Sequence, residues 1–250
     1  MTITLNRRAL IAGAGGLFVA GCDKINASPN VQKLLRLGEG ATYSAQRIVA
    51  DRSALAPEFT RAQMSPTFRT NGNTMPASDD YQQHLADGFA DWRLVIDGLV
   101  KQPLSLSLAQ LRAAPQRTQI TRHECVEGWS AIGQWTGTPL RLLLKHAGLR
   151  PNARFVVLHC ADDSGGTPYY ESIDLVDAFH PQTILAWGMN GHSLAVGHGA
   201  PLRLRVERQL GYKQAKYVMR VEAVDSLAPI GKGKGGYWED VADYQWYAGI

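Results

Sequence analysis

A single cysteine stands among charged residues in the segment RHECVEGWS, at positions 122–130. The chain has only three cysteines in 250 residues. Cys125 could pack in a core, form half of a disulfide, act as a nucleophile or bind a metal. A zinc site is excluded, because His123 and Cys125 alone cannot supply four ligands and no CxxC motif is present. The signatures of papain-like and caspase-like nucleophiles are missing too. A thiolate on this loop would suit a soft or high-valent metal that brings its other ligands with it.

A second group of residues is suited to anions. The segment GHGAPLRLRVERQLGYKQAKY, at positions 197–217, combines three glycines with six basic side chains: His198, Arg203, Arg205, Arg208, Lys213 and Lys216. Arginine binds phosphate through a bidentate fork, and lysine acts as a point charge. Glycine lets the backbone approach a ligand closely. The later GKGKGG stretch lacks P-loop spacing, and we predict a flexible surface loop there.

A third candidate is Arg69, in the segment FRTNG at positions 68–72. A lone arginine in a loop is usually solvated, so this segment is weak evidence by itself. Asp162 and Asp163 follow a predicted strand, and they are further candidates for contact with a ligand.

The first residues resemble an export signal. Asn6-Arg7-Arg8 is similar to a twin-arginine motif, and Val19-Ala20-Gly21-Cys22 is similar to a bacterial lipobox. The apolar run between them is too short to span a membrane. We therefore predict a twin-arginine-type lipoprotein signal over residues 1–21, lipidation of Cys22, and a periplasmic protein anchored by lipid to the inner membrane. An ordinary secretory signal or an amphipathic segment is the alternative.

Composition excludes some partners. Hydrophobic content is 45% and charged content 19%, which is ordinary for a globular protein. The net charge is +4, and two of these positive charges belong to Arg7 and Arg8. No basic stripe with interleaved aromatic residues is present, so a nucleic-acid partner is not expected.

The elements that must position these residues form an α+β pattern. Residues 22–66 are polar, with scattered proline and glycine, and predict a tether and an extended arm. Residues 67–250 predict one domain with a mixed sheet and short helices. Strands are predicted at WRLVIDGLV, RTQITRH, RFVVLHCA, PLRLRVE and KYVMRVEAV, and a hairpin turns at Asn190-Gly191. Helices are predicted after Ser107, after Thr138-Pro139, and over SIDLVDAFHP, where Pro181 ends the helix.

Together, the cysteine, arginine and glycine-basic segments resemble the molybdopterin-binding domain of the sulfite oxidase family, which includes periplasmic sulfoxide-reductase catalytic subunits. HECVEGWS matches the segment whose cysteine binds molybdenum, and TILAWGMNGHSL and GHGAPLRLRVERQLGYKQAKY match later segments. The resemblance implies a molybdenum–molybdopterin cofactor. It implies that Cys125 binds the metal and that Arg69 and Asn71 face the metal and the pterin, with Arg69 and Cys125 catalytic. It implies that the pterin and its phosphate are held by His198, Arg203, Lys213 and Lys216.

The resemblance implies oxygen-atom or two-electron transfer on a small S-oxide, N-oxide or sulfite-like substrate. Since the chain has no CxxCH motif, a separate cytochrome or membrane haem protein would exchange the electrons. We expect neither a haem domain nor an immunoglobulin-like dimerisation domain. Trp187 stands where the family usually has a tyrosine near the metal, which argues against sulfite. The alternatives are a pterin- or anion-binding protein without turnover, and a structural lipoprotein with a Cys125–Cys160 disulfide.

Overall fold

The computed structural model describes residues 28–49 and 51–250. The predicted signal and the predicted lipidation site at Cys22 lie outside these residues. The chain divides into two compact units, Met1–Asp51 and Arg52–Ile250.

The first unit contains helix α1, Pro29–Val49. This helix corrects the prediction of a tether over the start of residues 22–66. Proline is compatible with the first position of a helix, and an internal glycine such as Gly38 costs only about 1 kcal/mol relative to alanine. Both residues had favoured a loop in the sequence. Within residues 28–49 and 51–250, no helix is long and apolar enough to cross a membrane.

The second unit contains two five-stranded sheets. The first has the order β2-β1-β10-β5-β6, and only its β1–β10 pair is parallel. Its strands are β1 (Arg93–Gly98), β2 (Leu104–Ser107), β5 (Phe155–Ser164), β6 (Thr167–Asp174) and β10 (Val218–Val224). The second sheet is antiparallel, with the order β3-β4-β7-β8 and β9 paired to β7. Its strands are β3 (Arg117–Glu124), β4 (Ser130–Pro139), β7 (Ile184–Met189), β8 (His192–Ser193) and β9 (Arg203–Arg205).

Five short helices accompany the strands, the first before β1 and the last after β10: α2 (Asp79–Ala86), α3 (Leu108–Ala113), α4 (Leu140–Ala147), α5 (Leu175–Ala178) and α6 (Tyr237–Ala242). Single 3-10 turns lie at Arg61–Gln63, Val196–His198 and Gly211–Lys213. Ser107 begins α3 with a capping box, in which its hydroxyl accepts from the Gln110 amide at 3.1 Å. Gly148 ends α4 in the left-handed region, at φ 68°. The predicted single mixed domain is confirmed.

The predicted helix over SIDLVDAFHP is largely wrong. Strand β6 continues to Asp174, and only Leu175–Ala178 are helical. Residues Phe155 and Val156 of β5 pair with Asp174 and Ile173, so sheet pairing outweighs the local helical pattern. The Asp174 side chain then caps α5 by accepting from the Asp177 amide at 2.9 Å.

The main apolar core joins β1, β5 and β10 with helix α4, and its members include Leu94, Ile96, Leu140, Leu144, Val156, Leu158 and Val221. Burial of each such side chain contributes about 1.5–3 kcal/mol. A smaller core centres on Trp135 of β4, and Phe68 packs against it. Phe68 thus fixes the start of the arginine loop, the segment at positions 68–72 that contains Arg69.

Candidate active site

Cys125 lies in the five-residue turn between β3 and β4, where Glu124 pairs with Ser130. Its amide donates to the Trp129 carbonyl at 2.9 Å, and its carbonyl accepts from the Gly128 amide at 3.0 Å. Gly128 has φ +84°, a conformation that favours glycine. The Cys125 side chain is 8% exposed. The hairpin therefore holds this cysteine at a defined place through its main chain.

The arginine loop lies against the cysteine turn. Asn71 Nδ2 donates a hydrogen bond to Cys125 Sγ at 3.4 Å. The Arg69 guanidinium carbon lies 5.1 Å from the centre of the Trp129 ring. Phe68 places the loop, because its ring packs edge-on against Trp135 at 5.4 Å between centroids. The structure thus brings together two segments that the sequence singled out separately.

A cavity of about 600 Å³ opens beside Cys125. Five of the seven predicted cofactor residues line it: Arg69, Asn71, Cys125, Arg203 and Lys216. His198 and Lys213 are absent from its lining. Among its other lining residues are His123, Glu127, Trp129, Asp162, Asp163, Tyr169, Tyr212, Gln214, Tyr237, Trp238 and Tyr244.

Arg203 presents a buried positive charge to the cavity. Its side chain is 6% exposed overall, and it donates to the His198 carbonyl at 3.2 Å. Its Nε has no hydrogen-bond partner, and no salt bridge to it is found in the described part of the chain. Burial, and then the charge of Arg205, lower the pKa of Arg203 to about 9. A buried charge of this kind needs an anion, and a cofactor phosphate fits.

Asp162 presents a buried acceptor to the same cavity. It is 6% exposed, and its Oδ1 has no hydrogen-bond partner in the described residues. Burial raises its pKa to about 7. An unsatisfied buried oxygen costs free energy, and an N–H group of a pterin would satisfy it. The orphaned groups of Arg203 and Asp162 show that the cavity fits a molecule with both an anionic end and N–H donors.

Lys216 holds two loops around the cavity. Its ammonium donates to the carbonyls of Asn71 at 2.8 Å, Gly197 at 3.0 Å and Asn73. Burial, and then Arg203, lower its pKa to about 8, although Asp162 opposes the shift. Three carbonyls already occupy its donors, so Lys216 acts on a ligand mainly by fixing the arginine loop and by its charge.

Lys213, which was predicted to hold the phosphate, lies outside the cavity lining and contacts two acids. Its Nζ lies 2.6 Å from Glu171 and 2.5 Å from Glu239, and all three side chains are fully buried. Burial would lower the pKa of Lys213, but the two carboxylates raise it. Lys213 is therefore a structural cation behind the cavity wall. The sequence showed its charge but not the two distant acids that enclose it.

His198 also lies outside the cavity lining. Its ring packs edge-on against Phe68 at 5.8 Å between centroids, and its buried Nδ1 has no partner in the described residues. Burial lowers its pKa, as do Arg203 and Lys216, so the ring is neutral at pH 7. Its carbonyl, by accepting from Arg203, positions a residue that does line the cavity.

A buried ion pair supports β3, the strand that precedes Cys125. Arg205 is fully buried and contacts Glu207 through two hydrogen bonds, at 2.9 and 2.6 Å. Its Nη1 lies 3.1 Å from His123 Nδ1. Burial, and then Arg205 and Arg203, lower the pKa of His123 to about 2. The neutral ring therefore accepts from Arg205 at Nδ1, which fixes the residue two positions before Cys125.

Trp187 does not line the cavity. It lies on β7 and packs on the main core, with the Arg112 guanidinium carbon 5.6 Å from its ring centre. Trp187 therefore gives no reason to exclude sulfite as a substrate. Three of the aromatic residues that do line the cavity, Tyr237, Trp238 and Tyr244, come from the last 14 positions of the sequence.

Cys125 and Cys160 are both free thiols, which contradicts the alternative of a disulfide between them. Among the described residues, no three His, Cys, Asp or Glu side chains cluster so that they could hold a metal ion. Cys125 is thus suited to a metal whose other ligands come with a cofactor.

Residues 81–229 match the family described as "Oxidoreductase molybdopterin binding domain". The chain therefore belongs to this family of molybdenum–molybdopterin oxidoreductases, and the predictions of family, cofactor and enzymatic activity are confirmed.

Similar proteins support this assignment. The chain is 36% identical, over 94% of its length and 83% of the relative's, to a protein of Azospira oryzae provisionally named protein-methionine-sulfoxide reductase subunit YedZ1. It is 29% identical to the protein-methionine-sulfoxide reductase catalytic subunit MsrP of Campylobacter jejuni, over 88% of this chain and 80% of the relative. The sulfane dehydrogenase SoxCD of Paracoccus pantotrophus is a structural neighbour, with TM-score 0.50 and 28% identity over 54% of this chain and 39% of that chain.

Proposed function

We propose that this protein reduces sulfoxides, with methionine sulfoxide in proteins as its substrate class. The observation that carries the proposal is the cavity in which Cys125 lies beside Asn71 and Arg69. The names of the relatives from Azospira oryzae and Campylobacter jejuni supply the substrate class.

The reaction converts a sulfoxide, two protons and two electrons into a thioether and water. When bound, the cofactor supplies the two-electron chemistry. Cys125 would bind its metal as a thiolate, and Asn71 would hold that sulfur through the hydrogen bond described above. Arg203 would neutralise the phosphate, and Asp162 would accept from the pterin.

Arg69 would bind the sulfoxide oxygen. Its guanidinium lies over Trp129, so its direction is set before a substrate arrives. A fixed positive donor at the oxygen that gains charge is an effective form of electrostatic catalysis. Arg69 thus binds and orients the S=O group.

The cellular setting is also proposed. Twin-arginine export, lipidation of Cys22 and attachment to the periplasmic face of the inner membrane are supported by the first 22 residues. The two electrons would come from a separate cytochrome or membrane haem protein.

The test is to purify the protein from a host with a complete molybdenum-cofactor pathway and to measure molybdenum and turnover. We expect about one molybdenum per chain, and oxidation of a reduced viologen dye when a methionine sulfoxide peptide is added. Cys125→Ser should lose the metal or the activity, and Cys160→Ser is the matched control. Metal without turnover on any sulfoxide would instead support a binding protein of the same fold.

A further inference from the structure

We infer that a wall of five aromatic residues forms a subsite for the organic part of the sulfoxide, and that Trp238 is a specificity-determining residue. This inference rests on the proposed function. The aromatic wall consists of Tyr169, Tyr212, Tyr237, Trp238 and Tyr244. All five residues line the cavity.

The five rings form a continuous series. Tyr169 stacks on Tyr237 with centroids 5.4 Å apart, and Tyr237 meets Trp238 edge-on at 5.3 Å. Trp238 stacks on Tyr244 at 5.7 Å, and Tyr244 meets Tyr212 edge-on at 5.0 Å. Aromatic pairs with such spacings and angles stabilise one another, so the wall is one packed surface.

The wall presents ring carbon to the cavity more than it presents hydroxyl groups. The Tyr169 hydroxyl donates to the Tyr212 carbonyl at 2.9 Å, and the Tyr212 hydroxyl donates to the Gln245 carbonyl at 2.6 Å. The Tyr237 hydroxyl contacts the Ser164 carbonyl at 3.5 Å. Since main-chain carbonyls already take these three hydroxyls, the wall is suited to apolar groups and to polarisable sulfur.

Buried polar contacts fix the wall before any substrate binds. The Lys213–Glu239 ion pair joins the residues that directly follow Tyr212 and Trp238. Asp240, the next residue after Glu239, accepts from the Tyr170 hydroxyl at 2.6 Å and from the Lys232 amide at 2.8 Å. A preformed surface gives selectivity without a cost for ordering it.

Trp238 lies at the open edge of the wall. Its side chain is 36% exposed, and Val126, directly after Cys125, is 45% exposed and lines the same cavity. Arg69, Val126 and Trp238 all line one cavity, so a substrate whose S=O group reaches Arg69 can extend its carbon substituents along this edge. The two methyl groups of dimethyl sulfoxide offer little surface to Trp238, whereas the chain and peptide of methionine sulfoxide offer much more.

The test compares kcat/KM for a methionine sulfoxide peptide and for dimethyl sulfoxide in the holoenzyme. For Trp238→Ala we expect a fall of about tenfold with the peptide, as for the loss of one good ring contact, and little change with dimethyl sulfoxide. Trp238→Phe should recover part of the loss because it keeps a ring. Val241→Ala, on the same helix but outside the cavity lining, is the control.

Molybdenum content and far-ultraviolet circular dichroism are measured for every variant. Equal losses with both substrates, or a loss of molybdenum in Trp238→Ala, would overturn the inference, the latter because the ring would then belong to the cofactor site. Either result leaves the proposed function intact provided the unaltered enzyme reduces sulfoxides. Failure of the unaltered, metal-loaded enzyme to reduce any sulfoxide overturns both proposals.

Discussion

The Asn71 amide donates a hydrogen bond to the Cys125 sulfur at 3.4 Å, across a separation of 54 positions in the sequence. Asn71 in turn is fixed through its carbonyl, which accepts from Lys216 at 2.8 Å. The sulfur that would bind the metal is therefore coupled to the loop that would bind the substrate oxygen. An N–H···S bond also withdraws electron density from a thiolate, so Asn71 can influence the metal without touching it.

Replacing Asn71 with alanine should lower metal affinity or turnover by about 10–100-fold, the usual effect of losing a hydrogen bond to a metal ligand. Molybdenum content and kcat measure the two effects separately. Asn73→Ala is a matched control on the same loop, because its amide contacts the Asp163 carbonyl instead of Cys125. Equal losses in the two variants would mean that the loop, and not the N–H···S bond, is responsible.

Asp162 predicts a pH dependence in the cofactor-free protein. Burial raises its pKa to about 7, whereas an aspartate in an unfolded chain titrates at about 3.9. The folded state thus binds the proton more tightly, and this contribution to stability is present below about pH 4 and lost as the pH rises through about 7. Asp162→Asn should therefore gain stability relative to the unaltered protein between about pH 4 and pH 8. Urea unfolding across that range checks this, and a constant difference would contradict it.

Removing the buried cation should be costly. Lys213→Met leaves Glu171 and Glu239 without their shared partner, and breaking a buried ion pair from one side costs about 3–5 kcal/mol. Burial raises the pKa of Glu171 well above its usual range; Lys213 opposes this shift and Glu239 reinforces it. Glu171→Gln removes one acid but keeps Lys213 paired with Glu239, so it should cost less stability than Lys213→Met. Similar losses for both variants in urea unfolding would contradict this expectation.

Gly211 should not tolerate a side chain. A Cβ there would lie 2.5 Å from Nε2 of His123 and 3.2 Å from the Glu124 carbonyl. Gly211→Ala should cost about 1–3 kcal/mol, as overpacking usually does, and should lower molybdenum content by displacing β3, which ends at Glu124, directly before Cys125. Gly40→Ala, where a Cβ meets nothing within 4 Å, is the control. Unchanged unfolding and metal content in Gly211→Ala would show that His123 can move freely.

The residues of the site were predictable where chemistry and local pattern coincide. Cys125, Arg69 and Arg203 were singled out by side-chain type and do line one cavity, and the strand before Cys125 alternates between buried and accessible positions. Lys213 could not be placed from its type, because the same ammonium can bind a phosphate or neutralise buried acids. Only the residues around Lys213 in the folded protein decide between these roles. One of them, Glu239, lies 26 positions later in the sequence.

The remaining differences come from long-range contacts. The end of β6 was predicted as helix because pairing with β5 is invisible to a local pattern. Tyr237 and Trp238 follow a glycine-rich stretch that predicts a surface loop, but Asp240 folds this stretch back by accepting from the Lys232 and Lys234 amides. Contacts of this kind depend on tertiary structure, which sequence periodicity does not report.

The turn that carries Cys125 has a consequence for how such a protein can evolve. The cysteine is held by hydrogen bonds of its own main chain to Gly128 and Trp129, and these bonds do not involve the side chains of Val126 and Glu127. Val126 and Glu127 are exposed, so mutations at these two positions can accumulate without displacing Cys125. A descendant could therefore acquire a different substrate range by changes at the rim of the cavity, while Cys125 keeps its position.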